Sequence, residues 1–180
     1  MPYPALVPGW NGLHPLIVHF PIALLLVAPL FVILGMAIGP PKGRPFLVSA
    51  LVLMALGTSS MLVAVESGEA ASELVRSTSS VRAVLQQHQD LAETTEVLFT
   101  LLTVVLAALL YAPKLLRREL GLRVVMALLA AFLLFYITGA LFLVKTAHQG
   151  ARLVHEFGVK APVASSITTT DVASSPTPED

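Results

Sequence analysis

The sequence predicts an all-α integral membrane protein, a four-helix bundle of antiparallel up-down topology with helical extensions on its outer face. Three observations carry this. Four apolar runs are long enough to cross a bilayer, since a spanning helix needs about 20 mainly apolar residues at about 1.5 Å each. Of the 180 residues, 56% are hydrophobic and 12% charged, which is more apolar surface than a soluble domain of this size can cover. The basic residues gather in two short turns between runs.

Residues 1–12 read as an N-terminal outer tail. They hold no Lys or Arg, so the first apolar run is a permanent span and not a cleaved signal. Tyr3 and Trp10 suit interface anchors. Span 1 runs from Pro15 to Gly39. Pro15 fits a first helical turn, whereas Pro21 and Pro29 each remove an internal hydrogen bond and predict a bend. Pro40, Pro41, Gly43 and Pro45 turn the chain into span 2, Phe46 to Val65.

Between spans 2 and 3, Ala70 to Arg76 and Val81 to Glu96 have helical composition, so span 3, Val97 to Ala112, begins as a helix rising above the membrane. Pro113 to Arg123 leads into span 4, Val124 to Val144, which continues as helix through Phe157 to a stop at Gly158. Short connections of this kind join antiparallel neighbours. Residues 13–160 thus form one four-span domain, and residues 161–180, rich in Ser, Thr and Pro, read as a disordered tail. The residue identities show no internal repeat.

Lys42, Arg44, Lys114, Arg117, Arg118 and Arg123 face a single acid, Glu119, in the two turns. That bias marks cytoplasmic loops and places both termini on the periplasmic side of the inner membrane. The opposite side carries Glu66, Glu69, Glu73, Asp90, Glu93 and Glu96 against Arg76 and Arg82. Eleven basic and eleven acidic residues cancel, so a nucleic-acid partner has no support; the lipid bilayer is the partner the composition demands. Without cysteine there is no disulfide, thiolate metal site or covalently attached c-type haem. Phosphate loops, nucleophile elbows, the HExxH pattern and inverted repeats are also missing from the sequence, which removes hydrolase, nucleotide-dependent and inverted-repeat transporter readings. No catalytic residue is predicted.

All five histidines, His14, His19, His88, His148 and His155, fall at or near the predicted outer face. His14 precedes Pro15, and His19 lies about one turn inside span 1, where an ionisable group wants a partner. His148, Arg152 and His155 share one stripe of a helix, and His88 shares a face with Ala92, Thr95 and Phe99. Imidazole is the commonest protein ligand for haem iron and first-row metals, and facing helices of a bundle present such ligands well.

The cofactor-binding candidates are therefore His14, His19, His88, His148 and Arg152. His19 and His148 are the favoured axial ligands of a haem b, His14 and His88 a second pair or partners to its propionates, and Arg152 a propionate clamp. Gly57, Ser59, Ser60, Gly139 and Ala140 would make room for the ring. Alternatively, His19, His88 and His148 would hold copper, iron or zinc, with Met61 as a sulfur donor to Cu(I) and Glu66 as a carboxylate. A third reading has no cofactor: the histidines cap helices and make interfacial contacts in a structural or assembly subunit, and the small residues serve close helix packing.

The run Leu13-His14-Pro15-Leu16-Ile17-Val18-His19-Phe20-Pro21-Ile22 resembles the opening signature of a bacterial membrane family, domain of unknown function 2231. Ser67-Gly68-Glu69-Ala70-Ala71, His88, and Thr146-Ala147-His148-Gln149-Gly150-Ala151-Arg152-Leu153-Val154 continue the resemblance, which covers roughly residues 13–159. Ala151 stands where a second Gly is usual, and His155 where an aromatic hydroxyl is frequent, so His155 is the weakest candidate ligand. The resemblance implies that His14, His19, His88 and His148 are the positions that matter. Relatives that adjoin or are fused to c-type cytochrome modules imply a redox setting, an electron-transfer subunit working beside a c-type cytochrome or other respiratory subunits.

Overall fold

The computed structural model describes Trp10 and residues 13–73, 75, 78–117 and 120–159. The expectations for Tyr3 and the rest of the first twelve residues apart from Trp10, for Arg76, for Arg118 and Glu119, and for the tail at 161–180 lie outside these residues. Helices make up the described fold: α1 (His14–Ile17), α2 (His19–Ile38), α3 (Arg44–Ser72), α4 (Ser79–Leu115) and α5 (Leu122–His155). Taking α1 and α2 together, four helices are long and apolar enough to cross a membrane.

Each boundary has a local cause. Pro15 occupies the first turn of α1, where a missing N–H costs nothing. Pro21 has no N–H for the Ile17 carbonyl, and the helix is interrupted at Val18, between α1 and α2. Gly39 ends α2 at φ 71, a left-handed conformation that glycine adopts without strain. Gly43 then lies so close to the Gly35 carbonyl that no side chain would fit between α2 and α3. At the other end α3 runs unbroken to Ser72, so Ala70 belongs to its last turn and not to a separate helix. The 37 residues of α4 span about 55 Å, well beyond a hydrocarbon core of about 30 Å, and the excess is the polar Ser79 to Glu96 part. The stop after α5 coincides with Gly158 at φ 63.

The helices pack in a ring, α2 on α3, α3 on α4, α4 on α5 and α5 back on α2. Leu25, Ala28, Val32, Met54, Phe99 and Leu106 are fully buried at its centre, with Tyr136 set edge-on to Phe99 at 5.4 Å between ring centres. Large apolar side chains such as Phe20, Leu134 and Phe135 point outward, as a lipid-facing surface requires.

The structure also carries a repeat that the residue identities hide. Buried positions of α4 follow those of α2 at one constant separation, pairing Pro21 with Thr95, Leu25 with Phe99, Ala28 with Leu102 and Val32 with Leu106. Buried positions of α5 follow those of α3 at another, pairing Leu47 with Leu129, Ala50 with Phe132, Met54 with Tyr136, Gly57 with Gly139 and Met61 with Leu143. The bundle is thus two helical hairpins, α2–α3 and α4–α5, in matching register about a pseudo-two-fold axis. The reading of an unrepeated domain is corrected on this point: at these paired positions side-chain size changed between the halves, while burial did not.

Candidate cofactor site at the histidine end of the bundle

His14, at the start of α1 ahead of the first hairpin, and His88, in α4 of the second, stand at equivalent places of the repeat and meet. The His14 Nδ1–H donates to the Ala64 carbonyl of α3 at 2.7 Å, and the His88 Nδ1–H donates to the Thr146 carbonyl of α5 at 3.0 Å. His14 and His88 stand at the same separation as the paired buried positions of α2 and α4, and Ala64 and Thr146 at that of α3 and α5. A carbonyl can only accept, so each bond places a proton on Nδ1, and in the neutral ring that leaves the lone pair on Nε2. The ring centres are 6.5 Å apart and the planes stand at 85°.

Two glycines allow this placement. A Cβ on Gly68 would lie 2.9 Å from His14 Nδ1, and one on Gly150 would lie 3.1 Å from His88 Cε1. Both rings therefore lie against bare helix backbone, one turn beyond the carbonyl that each one bonds. Below His88, the Thr146 hydroxyl meets the Thr95 hydroxyl at 3.0 Å, tying α4 to α5 a second time.

The rings border a cavity of about 550 Å³, a volume within the range that takes cofactor-sized molecules. Its walls are chiefly apolar, with Met61, Ala64, Val65, Leu143, Ala147 and Leu153 among them. Glu69, Gln89 and His155 supply polar groups, and Gln89 donates to the Ser72 hydroxyl at 3.1 Å.

The other predicted residues are distributed unevenly. His19 lines the cavity but is exposed, its Nδ1–H donating to the Pro15 carbonyl at 3.1 Å. His148 is exposed and lies outside the cavity lining, so the structure does not bring it to His19 across the site. Arg152 is likewise outside the lining: its Nε pairs with Glu156 at 3.0 Å and its Nη1 donates to Gln149 at 3.0 Å. The stripe of His148, Arg152 and His155 is split, since His155 alone of the three lines the cavity.

Among the described residues no group of three or more His, Asp or Glu is gathered to hold a metal ion, so His19, His88 and His148 do not form a ligand set. Two of the small residues expected to make room for a ring, Gly57 and Gly139, face close-packed side chains. A Cβ on Gly57 would strike Leu25 at 2.8 Å, and one on Gly139 would meet Leu102 at 3.1 Å. Sequence reasoning overlooked Gly68 and Gly150, although both sit in the stretches that carry the family resemblance.

Fold and site together define a class: a multi-pass helical membrane protein with two facing histidines over an apolar cavity at one end. The chain belongs to the family described as predicted membrane protein (DUF2231), whose model matches residues 11–162. Searches of curated proteins and of solved structures returned no match.

Proposed function

We propose that the chain is a membrane electron-transfer subunit that holds a b-type haem between His14 and His88. The observation that carries this is their spacing. Two imidazoles that share one metal ion, each nitrogen about 2 Å from it, place their ring centres about 6 Å apart, and here they are 6.5 Å apart. The carbonyl bonds at Nδ1 are the outer-shell partners that orient metal-binding histidines and raise their basicity. The apolar cavity beside them suits a flat macrocycle, and with Arg152 engaged by Glu156, His155 and Gln89 in the cavity lining would be available to meet its carboxylates. A bound haem would supply one-electron chemistry, with His14 and His88 holding its iron and the apolar wall excluding water.

Lys42, Arg44, Lys114, Arg117 and Arg123 cluster at the opposite end from the histidines, which supports a periplasmic site in the inner membrane with both termini on that side. A c-type cytochrome in the periplasm, or another respiratory subunit, is the partner such a site would serve. Reduced-minus-oxidised absorbance and iron content of the purified protein test the reading. A haem band lost in His14→Ala and His88→Ala and kept in His148→Ala is expected; wild-type protein with neither band nor iron after haemin addition sinks it.

A second reading is favoured by the same two carbonyl bonds. Through these bonds His14 and His88 clasp α3 and α5, which is how a cofactor-free structural or assembly subunit would use them. It predicts that alanine at either position lowers thermal stability in protein that shows no chromophore at all.

A further inference from the structure

We propose that Gly68 and Gly150 are positioning residues of this site, one per hairpin, each giving an imidazole a stretch of bare helix backbone to lie on. The proposal takes its cofactor from the haem reading above and its ring placement from the geometry alone. Glycine weakens a helix relative to alanine, and both of these lie within the helical runs of α3 and α5, neither of them at a cap. Their helical backbone does not require glycine, whereas their surroundings do.

At Gly68 an added Cβ would lie 2.9 Å from His14 Nδ1 and 3.0 Å from Cε1. The ring cannot slide away cheaply, because that same Nδ1 is held at 2.7 Å by the Ala64 carbonyl. At Gly150 the Cβ would lie 3.1 Å from His88 Cε1 and 3.6 Å from Nε2, while Nδ1 is held by Thr146 at 3.0 Å. Each histidine thus has a carbonyl that sets its tautomer and, one turn further along the same helix, a glycine that sets its plane. The device occurs twice, at equivalent places of the two hairpins. Gly57 and Gly139, the other equivalent pair, face leucine and phenylalanine side chains, so they separate a packing role from a ring-placing role.

Gly68→Ala, Gly150→Ala and the packing control Gly139→Ala are to be compared with wild type as full chains in nanodiscs. Nitrogen-15 histidine spectra of the apoprotein read the Nδ1–H protons directly, and haemin titration reads the assembled site. The expected result is at least tenfold faster Nδ1–H exchange with water for His14 in Gly68→Ala and for His88 in Gly150→Ala. At least tenfold weaker haemin binding and a changed low-spin resonance signature should accompany it. Gly139→Ala should lose thermal stability and leave both readouts at wild type.

Histidine signals that stay at wild type in Gly68→Ala and Gly150→Ala overturn the proposal. So do signals that move equally in Gly139→Ala. If the ring protons respond as expected while wild-type protein takes up no haemin, ring placement stands and the haem reading falls. Gly150→Ala, with the looser contact, carries the test should Gly68→Ala fail to fold.

Discussion

The Tyr136 hydroxyl of α5 donates to the backbone carbonyl of Leu25 in α2. The Leu25 carbonyl needs that donor because Pro29, one turn on, has no N–H to offer it. The polar group freed by a proline in one hairpin is thereby satisfied by a side chain of the other, inside a bundle where no water is at hand.

Tyr136→Phe removes the side-chain donor to that carbonyl and should cost about 1 to 2 kcal/mol. In a Pro29→Ala background residue 29 regains its N–H, so the same substitution should cost clearly less. A double-mutant cycle measured by unfolding in mixed micelles checks this. Equal costs in both backgrounds would show that Tyr136 acts through ring packing alone.

The four spans were legible because hydropathy and length are local properties. Which face of each helix is the core was not. Leu25 is fully buried and its neighbour Leu26 is 44% exposed, yet lipid and core are equally apolar, so composition cannot tell them apart. The same ambiguity concealed the repeat, because Met54 and Tyr136, or Ala50 and Phe132, are equivalent in depth and not in type. Histidine as the chemical feature of one end was readable from the sequence. Its pairing was not, since it depends on helix rotation: His148 lies two residues from Gly150, about 200° around α5, and so turns away from the face that meets His88.

Burial therefore separates apolar residues that a hydropathy scale treats alike. Leu25→Ala, at a position with no exposed surface and packed against Gly57, should destabilise the bundle by about 2 to 5 kcal/mol. Phe135→Ala, at a position 71% exposed, should stay within about 0.5 kcal/mol because the lost ring faces lipid. Thermal unfolding of the two variants in one detergent gives the comparison. A Phe135 variant as unstable as the Leu25 variant would mean that this outer face is covered by another protein.

Glycine at the first hairpin turn makes a separate demand. Gly43→Ala drives a Cβ into the Gly35 carbonyl and should cost about 1 to 3 kcal/mol, as overpacking does. Gly121, which precedes α5 with open space around it, should tolerate alanine at a cost of about 0.5 kcal/mol, the modest preference for glycine over alanine at a helix N-cap. Proteolysis of the α2–α3 turn in membrane vesicles should rise for Gly43→Ala and not for Gly121→Ala.

His88→Ala leaves a ring-sized space between Gly150 and His14 while the Thr146 carbonyl stays in place to receive an N–H. Free imidazole fits that space and matches that acceptor, so it should restore to the variant the low-spin haem spectrum that the proposed His14–His88 ligation gives wild type. N-methylimidazole, which keeps a ligating nitrogen and lacks the N–H, should restore it at higher concentration only, because the carbonyl that orients the ring would go unmatched. Titration of both into His88→Ala mixed with haemin, followed by absorbance, measures the difference. Equal potency of the two molecules would remove the Thr146 carbonyl from the site, and a wild-type-like spectrum in His88→Ala before any addition would remove His88 as an axial ligand.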